Sequence, residues 1–327
     1  MAVSKFNWPL INDNILQSDK KVLSDFILNS NRFTNGPKVK EFEEAWSKWL
    51  GVKYSVMVHS GASSNYITTA IVREKKGNGG EIIVPPIGWV SDISSVINTG
   101  YTPVFVDVDL DTMAISYENI KEAINENTKA IVLVHALGFN GINDKIVELA
   151  KEHDLLLIED CCESHGALID GEKVGTKTEA STFSSYFGHH MTTVEGGFIS
   201  TNDKTLYELM RAKRSHGLAR ECSPEVFEEY KIKYPEVDSR FLFVTDGFNV
   251  RNTEFGAVLG LSQLTRLDSI IERRREVCDR FVSILQKYPT EFYIPNFEGN
   301  SSFSLPFILN TQDLRIKLQN YLEENGI

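Results

Sequence analysis

The chain has 327 residues but only four cysteines, Cys161, Cys162, Cys222 and Cys278. So few thiols cannot staple a chain of this length, and a reducing cytoplasm is the expected compartment. No apolar run approaches the ~18–20 residues that a membrane span needs. The opening MAVSKFNWPLINDN lacks both the apolar stretch and the small-residue cleavage site of a secretory leader. Base is scarce too: 34 Lys+Arg stand against 45 Asp+Glu, a formal net charge of −11. That balance argues against nucleic acid or an anionic membrane as a partner. The local cluster Arg211, Lys213 and Arg214 remains a candidate cradle for a phosphorylated small molecule. Low-complexity segments and internal repeats are absent.

What is present is ample core material, 42% hydrophobic residues with 24% charged, which suits a folded chain of about two domains at ~150 residues each. Strand-like runs YSVMV (54–58), EIIVPP (81–86), TPVFVDVD (102–109), KAIVLVHAL (129–137) and LLLIED (155–160) are separated by stretches long enough for helices. Near-continuous apolar strands alternating with helices predict an α/β fold with a mostly parallel sheet. An amphipathic helix over 38–50 places Val39, Phe42, Trp46 and Trp49 near one face and ends at Gly51. From about 255, helical periodicity continues for some thirty residues as one long connecting helix, followed by strand-like SSFSLPFIL (301–309). A large domain over 20–255 is therefore expected, with a smaller α+β domain over 256–327 joined by residues 1–19. The pattern LRIKLQNYLEENGI closes the chain inside a helix, so the small domain is expected to be incomplete.

Ligands of parallel sheets gather at the carboxyl ends of strands. After the first run, Ser60-Gly61-Ala62-Ser63-Ser64 offers backbone N–H groups and a helix dipole to a phosphate; an N-cap with a tight turn explains it equally well. Trp89 follows the second run, where it could stack on a flat ring or simply pack. Asp160 could pair with a cationic ring nitrogen, though alone it reads as a helix cap. His189 and His190 are adjacent and point in different directions. With no third ligand at a suitable spacing, a metal site is not expected, and two polar loop histidines would explain them.

Taken in order, Phe33-Thr34-Asn35-Gly36-Pro37, the SGASS turn, Trp89, Glu159-Asp160 with His165-Gly166, the Ser184 segment ending in Gly196-Gly197, Arg214-Ser215-His216-Gly217 and Gly247-Phe248-Asn249-Val250-Arg251 form a specific set. The set, over about residues 30–325, resembles the DegT/StrS-type sugar-nucleotide aminotransferases. These use pyridoxal phosphate (PLP) on the aspartate aminotransferase fold (PLP fold type I). One departure matters. Family aminotransferases carry a lysine five residues after the serine of the phosphate site; here that position is His189, and residues 178–203 contain no lysine. Imidazole cannot tether the cofactor aldehyde, and the exchange resembles the family's coenzyme-dependent sugar 3-dehydratases.

The resemblance implies a loose pyridoxamine 5′-phosphate (PMP) and C3 dehydration of a nucleotide-linked 4-keto-6-deoxyhexose. A GDP-linked sugar of colitose-type deoxysugar biosynthesis is the nearest match, with L-glutamate regenerating PMP. It also implies roles for single residues. His189 is the acid–base residue, since an imidazole can take and return a proton near neutral pH. Asp160 faces the pyridinium nitrogen, Trp89 stacks on the ring, and Gly61, Ala62, Ser63 and Ser184 hold the phosphate. Glu163 stands where many relatives carry Gln, facing the ring hydroxyl. His216 orients substrate, Arg220 binds it, and Asn249 and Arg251 reach the neighbouring subunit's site, which implies a homodimer. The close cysteine trio that would accompany Cys162 in an iron–sulfur relative is missing, so no such cluster is expected. An aminotransferase of the same fold and a degenerate, non-catalytic binding protein are the alternatives.

Overall fold

The fold is known from a computed structural model, which describes residues 14–327. Its elements are α1 (Gln17–Asn29), α2 (Pro37–Leu50), β1 (Tyr54–Val58), α3 (Gly61–Lys76), β2 (Glu81–Val84), α4 (Val90–Asn98), β3 (Thr102–Phe105) and α5 (Tyr117–Ala123). Then come β4 (Thr128–Val134), α6 (Asp144–Glu152), β5 (Leu156–Asp160), the short hairpin β6 (Leu168–Ile169) and β7 (Glu172–Lys173), β8 (Ala180–Ser184) and β9 (Gly197–Thr201). The chain continues through α7 (Lys204–Arg214), α8 (Pro224–Lys233), α9 (Glu254–Leu264), α10 (Leu267–Leu285), β10 (Phe292–Tyr293), β11 (Ile308–Leu309) and α11 (Gln312–Glu324).

Seven strands form one sheet in the order β1-β9-β8-β5-β4-β2-β3. β9 runs antiparallel to both neighbours, while every other pairing is parallel. Ile82, Ile83, Ala130, Ile131 and Leu133 are all fully buried, as strands covered on both faces require. On one face, α2 buries Val39, Phe42 and Trp46. The Trp46 indole lies flat on Phe198 (centroids 4.7 Å apart) and edge-on to Phe183 at 5.0 Å. Pro37 starts that helix, and Gly51, at φ +96°, ends it, following the usual division between a proline start and a glycine stop. Among the described residues, no helix is long and apolar enough to cross a membrane.

Three sequence expectations need correction. The helical pattern beyond 255 is not one helix: it breaks between Leu264 and Leu267. The break turns Arg266 towards the buried Asp19, whose carboxylate also accepts bonds from Ser262 and Gln263. SSFSLPFIL is not a strand except at Ile308–Leu309. Nor is Arg211–Arg214 a phosphate cradle. Lys213 is buried and paired with Glu74 and Asp246 at 2.8 and 2.9 Å, and Arg214 is paired with Glu43 at 2.6 Å. Two central strands, β8 (ASTFS) and β9 (GFIST), gave no apolar signal. Their hydroxyls are paired in place: Ser181 donates to the Gly175 carbonyl at 2.7 Å, and Ser200 meets Ser55 at 2.9 Å.

Candidate active site

The carboxyl ends of β1, β5 and β8 meet at one place. Just past β1, Ser60 caps α3 by accepting the Ser63 N–H at 3.1 Å, and its carbonyl takes the Ser64 N–H. The Gly61 and Ala62 N–H groups are left at the positive end of a 16-residue helix, the standard setting for an anion. A Cβ on Gly61 would lie 2.7 Å from the Ser184 Cβ and 3.0 Å from the Cys162 sulfur. Only glycine lets the three strand ends close this tightly. Gly197 is needed for a similar reason, because a Cβ there would sit 2.6 Å from the Ser60 carbonyl. The Ser63 hydroxyl meets His59 Nδ1 at 2.9 Å, and the Ser184 hydroxyl accepts the Tyr186 N–H at 3.2 Å.

Next to this anion seat lies a knot of carboxylates. Asp160, at the end of β5 and 4% exposed, accepts Cys162 N–H on Oδ1 and the Asn65 side-chain amide on Oδ2, both at 2.8 Å. Asp92, 3% exposed, takes the same Asn65 nitrogen at 2.8 Å. Glu163, half-buried, accepts the N–H of Leu137 at 2.6 Å. Burial pushes the Asp92 and Glu163 carboxyls up, and the neighbouring Asp160 charge adds to both shifts. Trp89, 71% exposed, stands at the start of α4 above this knot's helix.

Facing these groups is the loop after β8. His189 is half-buried, its ring stacked on Phe303 (5.2 Å, 29° between planes) and 6.0 Å from His165. Its Nδ1 is buried without a hydrogen-bond partner. Burial lowers its pKa to about 4; the Asp160 charge pulls the other way, and Arg274 adds to the lowering. At neutral pH it is therefore an uncharged base. The next residue, His190, is fully enclosed with Nε2 2.9 Å from the Ser301 carbonyl, and its pKa falls to about 3. Phe303 reaches His189 because residues 300–303 are clamped from α10. Arg274 donates to the carbonyls of Ser302 and Phe303, each at 3.1 Å, and Arg275 to that of Asn300 at 3.0 Å. Sequence reading missed Asn65, Asp92, Phe303, Arg274 and Arg275. The positions of Asn65 and Asp92, near the starts of successive helices, were the available signal.

The remaining expected residues lie elsewhere. His216 is exposed at φ +65°. Asn249 pairs with Ser215 through an isolated bridge, and Arg251 pairs likewise with Val58. Arg251 also lines a groove of about 340 Å³ with His59 and residues 193–195. Arg220 is exposed and donates to the Arg240 carbonyl at 3.2 Å. Among the described residues, none of these four side chains hydrogen-bonds to Asp160, Ser184 or His189. His135, Glu159 and Cys161 gather closely, but Gly141 N–H donates to His135 Nδ1 while Nε2 faces Glu159 at 2.9 Å. Both ring nitrogens are thus engaged, and the trio reads as a structural brace.

The profile of the DegT/DnrJ/EryC1/StrS aminotransferase family matches residues 15–327. The chain belongs to this family. A GDP-4-keto-6-deoxy-D-mannose 3-dehydratase of Yersinia pseudotuberculosis is 35% identical over 308 residues, spanning 92% of this chain and 78% of that one. The Escherichia coli GDP-4-keto-6-deoxy-D-mannose 3-dehydratase, solved with bound hydrated PLP, superposes with a TM-score of 0.90 at 32% identity, covering 99% of this chain and 85% of the other. A second structure, of a GDP-4-keto-6-deoxymannose 3-dehydratase with a trapped PLP-glutamate geminal diamine, gives a TM-score of 0.89 at 32% identity, with 98% and 84% covered. The PLP fold type I expectation is thereby met, with a mostly parallel sheet as its centre.

The family site fits such a cofactor on its own chemistry. Three carboxyl groups crowd together with no basic side chain bonded to them among the described residues, and Asp92 Oδ2 has no partner at all. A protonated ring nitrogen supplies the missing positive charge. The amides of Gly61 and Ala62 at the start of α3, with the Ser184 side chain beside Gly61, would suit the cofactor's phosphate.

Proposed function

We propose that the protein removes the C3 hydroxyl of a GDP-linked 4-keto-6-deoxyhexose, GDP-4-keto-6-deoxy-D-mannose, using PMP, with L-glutamate restoring the amine form. The observation that carries this reading is His189: an uncharged imidazole with an unclaimed nitrogen, opposite Asp160, in a stretch without lysine. Bound PMP supplies the amine that joins the sugar's keto group and a ring that draws off electron density. Asp160 keeps the ring nitrogen protonated. Gly61, Ala62, Ser63 and Ser184 hold the phosphate, and Glu163 and Trp89 fix the ring's edge and face. His189 would take a proton from the carbon that bears the bound cofactor's amine and return it to the departing C3 hydroxyl, which would leave as water. His216, Arg220 and Arg251 are assigned to the sugar nucleotide, and Asn249 to the cofactor.

A homodimer with a shared site is part of the proposal. Trp89 and its neighbours Ile87 and Val90 are 71%, 43% and 65% exposed, an apolar rim that a second copy would cover. Asn249 and Arg251 would then serve the partner's site. The division into a large cofactor domain (20–255) and a small domain (256–327) belongs to the same reading, and residues 1–13 of the proposed N-terminal strap lie outside the described residues. The four cysteines stand free, which suits the reducing cytoplasm where nucleotide sugars are made.

The family description also supports a second reading, a sugar-nucleotide aminotransferase. Incubation with GDP-4-keto-6-deoxy-D-mannose, glutamate and PLP separates the two. Mass spectrometry of the sugar nucleotide shows loss of one oxygen for dehydration. Gain of an amino group in place of the keto oxygen would overturn the proposal.

A further inference from the structure

We propose that Asp92 is a positioning residue for the cofactor ring: a neutral, proton-bearing carboxyl that, linked to Asp160 through Asn65, leaves one negative charge facing the ring nitrogen. The inference rests on the cofactor reading above and names a group to which that reading gives no role. Its basis is the geometry around Asn65. The single amide nitrogen of that residue lies 2.8 Å from Asp160 Oδ2 and 2.8 Å from Asp92 Oδ1, so its two hydrogens bind the two carboxyl groups together. Asp92 is 3% exposed, and its second oxygen is buried without a partner.

An acid in the first turn of a helix is ordinarily ionised, because the dipole favours the charge. Here the surroundings oppose it. The groups facing Asp92 are the Asp160 and Glu163 carboxyls and the Cys162 thiol at and just beyond the end of β5, the Asn65 amide from α3, and the Trp89 backbone just before its own helix. Burial and the Asp160 charge push Asp92 well above the usual carboxylate range. Two carboxyl groups sharing a dry site cannot both ionise, and one proton belongs to the pair. Each Asp160 oxygen already accepts an N–H, whereas Asp92 keeps one oxygen without a partner. The proton is therefore assigned to Asp92, whose carboxyl also meets that of Asp160 directly.

Infrared difference spectroscopy of the cofactor-free protein tests this directly. At pH 7 the wild type shows the carbonyl stretch of a protonated carboxyl, shifted by 13C-aspartate labelling and lost in Asp92→Asn. A wild type without that band, or a band that survives in Asp92→Asn, means an ionised capping carboxylate and overturns the inference. Should Asp92→Asn fail to fold, absence of the band from labelled wild type still overturns the inference, and Asp92→Ser, which also removes the carboxyl, takes its place in the assignment. A PLP titration adds a second readout: Asp92→Leu binds about tenfold more weakly, and the neutral isostere Asp92→Asn recovers most of that loss. Equal weakening by Asp92→Asn and Asp160→Asn would show two anions and overturn it too. Wild type that does not bind PLP defeats the cofactor reading instead, and the infrared band still decides Asp92.

Discussion

Two walls face each other across the site, and they are held by different means. The first, made from the ends of β1, β5 and β8 with the start of α3, is fixed by backbone: sheet pairing sets Gly197 between Ser184 and Val58, and close glycine contacts lock the ends together. The second carries His189 on a loop. It is fixed by side chains from far along the sequence, chiefly Arg274, Arg275 and the Phe303 ring they position. The first wall is acidic and the second is basic. His189 sits where they meet, raised by Asp160 and lowered by Arg274. In the proposed reading the backbone wall holds the cofactor and the side-chain wall tunes the proton carrier, so damage to each is expected to fail differently.

The largest break in that contrast comes at the point of contact. His189→Lys converts the proton carrier into a tether, and dehydration falls by about a thousandfold, within the usual range for losing an acid–base residue. Borohydride reduction followed by intact mass then finds cofactor attached to the variant and none on the wild type. Dehydration at the wild-type rate would remove His189 from the chemistry. Asp160→Asn strikes the backbone wall instead. Turnover drops about a hundredfold through loss of the ring-nitrogen charge partner, and PLP binds more weakly while thermal stability changes little. Undiminished PLP affinity in that variant would place the ring elsewhere.

The two walls were not equally readable beforehand. Gly61 and Asp160 lie at strand ends or on the turns beside them, where a parallel sheet puts its ligands, so alternation of apolar runs located them, whereas Ser184 came only from the family resemblance. The strands β8 and β9 that carry Ser184 and Gly197 were missed because serine and threonine fill them, and only the folded pairing of those hydroxyls makes them core. Phe303 and Arg274 had no local signal. Phe303 stacks on a histidine far earlier in the chain, and Arg274 reaches the carbonyls of Ser302 and Phe303 from 28 and 29 residues away, so SSFSLPFIL looks like a strand until Arg274 claims two of its carbonyls. The basic cluster misled for the opposite reason: Lys213 and Arg214 look free until Glu74, Asp246 and Glu43 are folded against them.

Phe303→Ala sharpens the contrast within the second wall. The substitution removes the ring under His189 without touching any group that bonds the cofactor. Turnover is expected to fall about tenfold through loss of orientation, with PLP affinity unchanged. A large loss of PLP affinity would mean that the two walls are not separable.

The smallest effect is on stability and belongs to His190. Its pKa in the folded protein is about 3, against 6.5 for an ordinary imidazole, through burial and the nearby Arg274. Between those values the unfolded chain holds a proton that the folded chain refuses, so stability rises with pH across the window and is lost as pH falls. One such proton is worth roughly 2 kcal/mol between pH 6.5 and 5. His190→Gln keeps a donor for the Ser301 carbonyl but cannot titrate. In urea unfolding of cofactor-free protein at pH 7 and pH 5, the variant should lose less stability than wild type by about that amount, and His189 should continue to contribute its own loss down to about pH 4. Identical pH dependence in the two proteins would mean that His190 is already charged in the fold, and that the side-chain wall carries one more positive charge opposite Asp160 than its burial allows.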